Sequence, residues 1–359
     1  MGLIRFLLAI SVLGAHTAFP ILVGGKYAVE LFFIISGFLI SYILVESKRY
    51  NTLRDFYLSR WLRLYPIYLL IFLLMVAFNI LVATLTRTPS IFELISRFDW
   101  RAQILLWVSN LTMFFQDTTL FFSQRGSEII FGAPVTEHSV HWHTGLVNPP
   151  AWSLSLEIAF YLIAPFVLRR LRTLLVVFAI CAGVKASLLF FGLFGQDPWS
   201  YRFFPAELVF FLLGSLSHRA SMGLRQIDRL KYGNLFGWAS ATLSFAALIA
   251  FQLITGPEWL RAFGLMVLVT ASLPFMFRFP IFPVFFNNLG NLSYPIYLLQ
   301  ILVMQVLSSA FSVAHISLHP IEYLVLAASL SCGLAWALEN FAIKPINRFR
   351  YSVSNASSH

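Results

Sequence analysis

The apolar stretch AVELFFIISGFLISYILVE at residues 28–46 decides the fold of this chain. A helix needs about 20 apolar residues to cross the hydrocarbon core of a bilayer, and this stretch is long enough. One carboxylate, Glu30, lies near its start, although an ionisable group inside lipid is costly. The stretch therefore predicts a transmembrane helix and marks Glu30 as a functional candidate; the alternative is a solvated carboxylate at the membrane interface.

Apolar runs of similar length recur along the chain. They predict ten spans, at residues 3–22, 28–46, 64–84, 151–168, 173–194, 204–218, 233–254, 260–277, 291–312 and 321–343. Hydrophobic residues make up 59% of the chain and charged residues 11%, whereas a soluble domain has about 45–50% and ~25%. We therefore predict an all-α, polytopic membrane protein of about ten transmembrane helices. A single membrane domain is expected over residues 1–350, followed by a short cytoplasmic tail at 351–359.

The distribution of positive charge predicts the topology. The chain has a net charge of +10, but its basic residues lie in short loops between apolar runs, which argues against nucleic-acid binding. With the N-terminus inside, most of these loops are cytoplasmic, so both termini are predicted on the cytoplasmic side of the inner (plasma) membrane. A crossing at residues 104–122 would invert every later basic loop, so we expect this segment to be interfacial or re-entrant. Residues 86–150 then form one long extracytoplasmic loop.

The first run, residues 3–22, also resembles a signal peptide. Its apolar character continues past a weak cleavage site, so we expect it to be retained. It carries Arg5 and His16, eleven residues apart, which is almost three helical turns and about 16 Å along one face. Arg5 is predicted near the cytoplasmic end and His16 near the outer end.

A second candidate residue, Glu157, lies about six residues into a span that enters from outside, at a depth similar to that of His16. A desolvated carboxylate favours protonation unless a cation or a donor lies beside it. A His16–Glu157 pair would relieve that cost and give a base with a fixed tautomer. The alternative for His16 is a structural hydrogen bond to a neighbouring helix.

Arg60 and Arg63 open the third predicted span on its cytoplasmic side, three residues apart on one face. They are either anchors that set topology or a phosphate clamp, because guanidinium groups bind phosphate in bidentate fashion. Together with Arg5 they would form a cationic cytoplasmic mouth. A long phosphorylated donor with a reactive far end, such as an acyl-coenzyme A, would bridge these arginines and His16.

Other polar residues are weaker candidates. His138, His141 and His143 lie close together in the long loop, but no carboxylate or cysteine pattern accompanies them, and no metal site is predicted. Lys185 and Glu207 are expected to form a structural pair across two helices.

The order of these residues along the chain resembles acyltransferase family 3, a family of integral membrane O-acyltransferases. The matching motifs are Arg5 and His16 with ten residues between them, GG at 24–25 followed by AVELFFIISGFLI at 28–40, FYLSRWLRLYP at 56–66, AWSLSLEIAFY at 151–161, and LGNLSYPIYL at 289–298. They cover nearly the whole chain in the family's order. One departure is Gln300, which stands where the family pattern has a histidine.

The resemblance implies a function. Members are expected to take an acyl group, acetyl in the first place, from cytoplasmic acyl-CoA. They place it on a hydroxyl of a cell-surface polysaccharide, lipopolysaccharide or glycolipid. His16 would be the general base, with Glu157 and Glu30 as further catalytic residues, and the transfer would be direct or pass through an acyl-histidine. Arg5, Arg60 and Arg63 would bind acetyl-CoA, and no metal is implied.

A second class of function remains open. Ionisable groups inside spans also occur in secondary transporters and flippases, where they relay protons. Transporters often carry repeats between their halves, and none is visible in this sequence. Consumption of acyl-CoA by the purified protein would separate the two classes.

Overall fold

Long apolar helices make up most of the chain in this computed structural model. The structure describes residues 1–17, 19, 21–47, 50, 52–132, 139–223, 233–279 and 284–347, with the side chains of 284–287 excepted. In that part the α-helices are α1 Gly2–Ala15, α2 Gly24–Ser41, α3 Leu53–Thr86, α4 Ile91–Ser96, α5 Trp100–Thr112, α6 Trp152–Val167, α7 Leu171–Phe190, α8 Phe204–Gly223, α9 Gly233–Ala250, α10 Glu258–Arg278, α11 Val284–Ala314 and α12 Pro320–Leu338. Single π-helical turns extend α2 over Tyr42–Glu46 and α12 over Glu339–Ile343.

Among the described residues, eight helices are long and apolar enough to cross a membrane. They are Gly24–Glu46, Leu53–Thr86, Pro149–Val167, Leu171–Phe190, Gly233–Ala250, Glu258–Arg278, Asn288–Ala314 and Pro320–Asn347. The predicted all-α, multi-pass membrane class is thereby confirmed. Two of the ten predicted spans, 3–22 and 204–218, are not among the eight. α1 has only 14 residues, or about 21 Å, and α8 carries Glu207, His218 and Arg219, which lower its hydropathy.

α2 and α8 are held together by close backbone packing. A Cβ atom at Gly37 would lie 1.8 Å from the carbonyl oxygen of Phe211, and one at Gly214 would lie 1.8 Å from that of Ile34. The two glycines therefore let the helix backbones touch, which is how small residues pack membrane helices. This contact places the polar residues of α2 inside the bundle.

Polar contacts fix the segment between α3 and α6. Asn110 of α5 accepts a hydrogen bond on its backbone oxygen from Tyr68 (2.6 Å), and its side-chain amide donates to the Gly145 carbonyl (2.9 Å). α5 has 13 residues, about 20 Å, and none of the eight candidate spans includes residues 104–122. Asn110 and Gln116, two polar residues of this segment, are buried against protein.

A small antiparallel sheet follows this segment, with β1 Phe122–Arg125 between β2 Glu128–Phe131 and β3 Val140–His141. β1 pairs Ser123 with His141, which brings the chain back towards the start of α6. His138 and the predicted tail at 351–359 lie outside the described residues.

Candidate active site

A cavity with two arginines lies between α1, α2, α3, α6 and α11. We call it the arginine cavity. It has about 700 Å³ of empty space, which includes its opening to the outside, and its polar lining comes from Arg5, Ser36, Arg63, Ser153, Glu157, Ser293, Tyr294 and Tyr297. The helical phase of α1 and α3 turns both guanidinium groups inward. The predicted association of Arg5 with Arg63 is therefore present in the geometry.

Neither guanidinium in this cavity has an internal partner. Within the described part of the chain, the side chains of Arg5 and Arg63 form no hydrogen bond and no ion pair within 4.0 Å. Charged groups inside a membrane bundle are normally paired or face water. Two unpaired arginines at one cavity are therefore a strong anion-binding arrangement, since guanidinium groups bind phosphate oxygens well.

Glu157 lies at the arginine cavity too. Its Oε1 accepts hydrogen bonds from the Ser36 hydroxyl (2.7 Å) and from the Tyr161 hydroxyl. The carboxylate is close enough to act electrostatically on both Arg5 and Arg63. Glu157 is thus held by α2 and by its own helix, and it belongs with the arginines.

Arg60 lies apart from Arg63, although the two were predicted on one face. Its Nη2 donates to the hydroxyls of Tyr50 (3.2 Å) and Ser59 (3.4 Å), and the residue is 5% exposed. It lines a separate, largely apolar groove formed with Trp61, among others, and Leu64 borders both spaces. The three predicted donor-binding arginines therefore divide into a pair and a single residue.

His16 lies at the C-terminal end of α1, on a second cavity of about 1030 Å³ that we call the histidine cavity. Its other polar and aromatic lining comes from Lys26, His143, Trp152, Asp197, Tyr201, Arg202 and Tyr297. Just beyond His16 the chain folds back, because the Ser11 hydroxyl donates to the carbonyls of Ile21 (3.1 Å) and Gly24 (3.0 Å). The cavity thus joins the end of α1 to the start of α6.

The expected pair of His16 and Glu157 is not formed in the structure. The two residues line different cavities, and no hydrogen bond joins them among the described residues. Val29 and Tyr297 line both cavities, so the arginine and histidine cavities adjoin there. His16 and Glu157 therefore lie on opposite sides of this boundary.

The surroundings of His16 favour its neutral form. Partial withdrawal from water and the positive charge of Arg202 both lower the pKa of His16 below its ordinary value. A neutral imidazole can accept a proton, as a general base must. Arg202 is itself fixed by Asp197, whose carboxylate accepts from Nε at 2.7 Å, and it stacks 4.6 Å from the Trp152 ring centre.

Glu30 belongs to another cluster. It is 4% exposed, so it is not a solvated interfacial carboxylate, and it lines neither cavity. Its electrostatic neighbours are Glu207, Lys185 and Lys26. The expected Lys185–Glu207 pair is present, with 2.6 Å between Nζ and Oε1. These four residues form a charge network between α2, α7 and α8.

Two of the three loop histidines, His141 and His143, lie in the described part of the chain. His141 and His143 have ring centres 5.1 Å apart, but among the described residues no three His, Cys, Asp or Glu side chains come together. Burial, His141 and Arg202 lower the pKa of His143 to about 4, so its ring is neutral. Its Nδ1 has no partner within the described residues, which leaves a hydrogen-bonding group at the histidine cavity.

Sequence reasoning missed several residues of these sites. Ser36 and Tyr161 hold Glu157, and both lie in motifs that were recognised without a role for them. Tyr297 donates to the Pro150 carbonyl (2.7 Å) and forms the boundary between the cavities. Arg202 lies in a short loop between two predicted spans, where a positive charge indicates topology and not a site. Uncharged polar residues inside spans were the available signal, and only ionisable groups had been considered.

Comparison with known proteins agrees with these features. The family model described as an acyltransferase domain matches residues 1–340. The chain is similar to the peptidoglycan O-acetyltransferase OatA of Listeria monocytogenes serovar 1/2a (strain ATCC BAA-679 / EGD-e), with 30% identity over 165 residues. That match covers 45% of this chain and 22% of the relative, so the chain corresponds to about a fifth of that protein's length. No solved structure matches the chain.

Proposed function

Because the chain belongs to the acyltransferase 3 family, whose model covers residues 1–340, we propose that it is a membrane O-acyltransferase. It transfers an acyl group, acetyl in particular, from acyl-CoA to a hydroxyl of an extracytoplasmic glycan. The Listeria relative is a peptidoglycan O-acetyltransferase, which supports the acetyl group and the glycan class. The proposal places the Arg5 end of the bundle towards the cytoplasm of the cell membrane and the His16 end outside.

One observation carries this proposal: a cavity with two unpaired arginines adjoins a cavity with a neutral histidine. Arg5 and Arg63 would hold phosphates of the donor, and the acyl arm would extend past Val29 and Tyr297 to His16. The distance along α1 from Arg5 to His16 is about 16 Å. An extended donor with a charged head and a reactive end suits such a pair of cavities.

At His16 the reaction is an acyl exchange. The acceptor hydroxyl gives its proton to the imidazole while its oxygen attacks the thioester carbonyl. The new C–O bond forms, the C–S bond breaks, and the thiol of coenzyme A leaves with a proton. An acyl-histidine step would instead make His16 the nucleophile.

Glu157 has a different part in this scheme from the one expected. Since its carboxylate lies beside Arg5 and Arg63, we assign it to the donor site, where it offsets their positive charge and sets their positions. Ser36 and Tyr161 hold it in place.

The test is a comparison of His16→Ala with a matched control. His315→Ala changes an exposed histidine that also follows the end of a long helix. Purified variants in nanodiscs receive labelled acetyl-CoA, and surface glycans from cells that express each variant are analysed by mass spectrometry. Loss of a general base costs about 10²–10⁴-fold in rate, so His16→Ala should lose glycan acetylation while still binding acetyl-CoA.

Normal acetylation by a well-expressed His16→Ala protein would contradict the role of His16. A wild-type protein that neither binds nor consumes acyl-CoA would contradict the whole proposal and favour transport.

A further inference from the structure

A second space opens beside His16, away from the histidine cavity. We call it the amide cleft. It is an open cleft with about 910 Å³ of empty space, and its polar lining comes from His16, Asn79, Gln305, Ser308, Ser309 and Tyr323. Gln305, Ser308 and Ser309 are spaced i, i+3 and i+4, so they share one face of α11. His16 is the residue that the amide cleft and the histidine cavity have in common.

The polar face of α11 is unusual for a membrane span. The most apolar 18-residue window of Asn288–Ala314 has a mean hydropathy of 1.8, and yet the side chains of Gln305, Ser308 and Ser309 form no hydrogen bond within the described residues. Ser187 of α7, by contrast, donates its hydroxyl to the Gly183 carbonyl (2.9 Å). Gln305 and Ser308 are exposed on the wall of the cleft, so their amide and hydroxyl groups are available to a ligand that enters it.

The chemistry of the cleft indicates what it binds. Its amide and hydroxyl groups are uncharged and can donate or accept, and the aromatic ring of Tyr323 lies among them. Such a lining suits a neutral ring that carries several hydroxyls. The histidine cavity, on the other side of His16, instead carries the charges of Lys26, Asp197 and Arg202.

We propose that the amide cleft is a second acceptor subsite, which binds an uncharged sugar unit next to the unit that reacts at His16. The acceptor then extends to both sides of His16, so it is an oligosaccharide or polysaccharide acetylated within the chain and not a single sugar. This inference rests on the proposed acyl transfer to a glycan.

The experiment measures acetyl transfer as a function of acceptor length. Surface polysaccharide of the host is de-O-acetylated, cut by mild acid and separated into fragments of one, two, and four to six sugars. Each fraction is given with labelled acetyl-CoA to the full-length protein in nanodiscs. Wild-type kcat/KM should rise at least about tenfold from one sugar to the longest fraction, which corresponds to about 1.4 kcal/mol.

Two variants test the cleft itself. Gln305→Leu keeps size and suits a lipid-embedded helix, and Ser308→Ala removes one hydroxyl. Each should raise the KM for the longest fragments about three- to tenfold, as expected for one lost hydrogen bond, and leave kcat/KM for the single sugar unchanged. Ser312→Ala, on the same helix but outside the cleft, is the control. Acetyl-CoA binding by each variant verifies that the fold is intact.

The outcomes separate the two proposals. Equal rates for all fragment lengths, or variants that behave as wild type on the longest fragments, would overturn the subsite and leave the acyltransferase proposal standing. The subsite would also be overturned if the variants lost activity on the single sugar as much as on the longest fragments. Transfer to none of the fragments by wild-type protein would contradict both.

Discussion

Replacing Arg63 should weaken donor binding far more than replacing Arg60. Arg63 faces the arginine cavity without an internal partner, so its charge is free for a phosphate. Arg60 already donates to Tyr50 and Ser59 and opens on a different groove. A hydrogen bond to a charged group contributes about 1.5–3 kcal/mol, so Arg63→Gln should reduce the affinity for coenzyme A roughly 10- to 150-fold.

The assay is calorimetric titration of the purified variants with coenzyme A. Arg63→Lys keeps the charge but loses the bidentate geometry, so we expect only partial recovery of affinity. Dephospho-coenzyme A, which lacks the 3′-phosphate, identifies the contact: if Arg63 binds that phosphate, Arg63→Gln should bind both compounds with equal affinity. Arg60→Gln should change the affinity for coenzyme A less than about threefold, because Arg60 does not line the arginine cavity and its replacement removes no contact with the phosphate there.

Unchanged affinity in Arg63→Gln would refute this reasoning. Equal large losses in Arg60→Gln and Arg63→Gln would also refute it, since the phosphate would then have to lie where both arginines reach. Arg60 and Arg63 would then bind the donor together, as their shared helical face in the sequence predicts.

Three further predictions follow from the same geometry. Glu157→Gln should change the KM for acetyl-CoA and leave unchanged the pH at the midpoint of the acidic limb of the pH–rate profile. A shift of that midpoint would indicate that Glu157 pairs with His16 after all. That limb should lie below the ordinary imidazole value of 6.5, because a lowered pKa keeps His16 neutral and active to lower pH. Arg202→Gln, measured in the same pH series, should move the midpoint of this limb up towards pH 6.5. An unchanged midpoint would show that the charge of Arg202 does not lower the pKa of His16. Gly37→Val should lower the melting temperature of the purified protein, since overpacking costs about 1–3 kcal/mol and its Cβ would meet the Phe211 carbonyl at 1.8 Å; Gly264→Val, where a Cβ meets nothing within 4 Å, is the matched control.

The apolar runs of the sequence determined the class of fold. In a chain with 59% hydrophobic residues, an apolar helix satisfies all of its backbone hydrogen bonds within one segment and can therefore lie in lipid. Eight of the predicted spans have the required length and hydropathy. The first span was predicted too long. The chain leaves the helix at His16 because Ser11 ties the following residues back to α1, and that contact is not visible in hydropathy.

The sequence also identified most of the candidate functional side chains. Ionisable groups are rare in spans because they are costly, and this rule selected Arg5, His16 and Glu157 without any structure. It did not select Gln305 or Ser308, since amides and hydroxyls cost less and are common in membrane helices. Only the tertiary structure shows that their shared face on α11 lies beside His16 in one cleft.

The tertiary structure alone decided which of these side chains meet. Helical period gives the height and the face of a residue on its own helix, but it does not say which neighbour that face contacts. Arg5 and Glu157 therefore share a cavity that excludes His16, and Arg60 turns away from Arg63. Glu30 lies near Lys185 and Glu207 because two glycines let α2 and α8 touch. These pairings depend on the packing of helices distant in sequence.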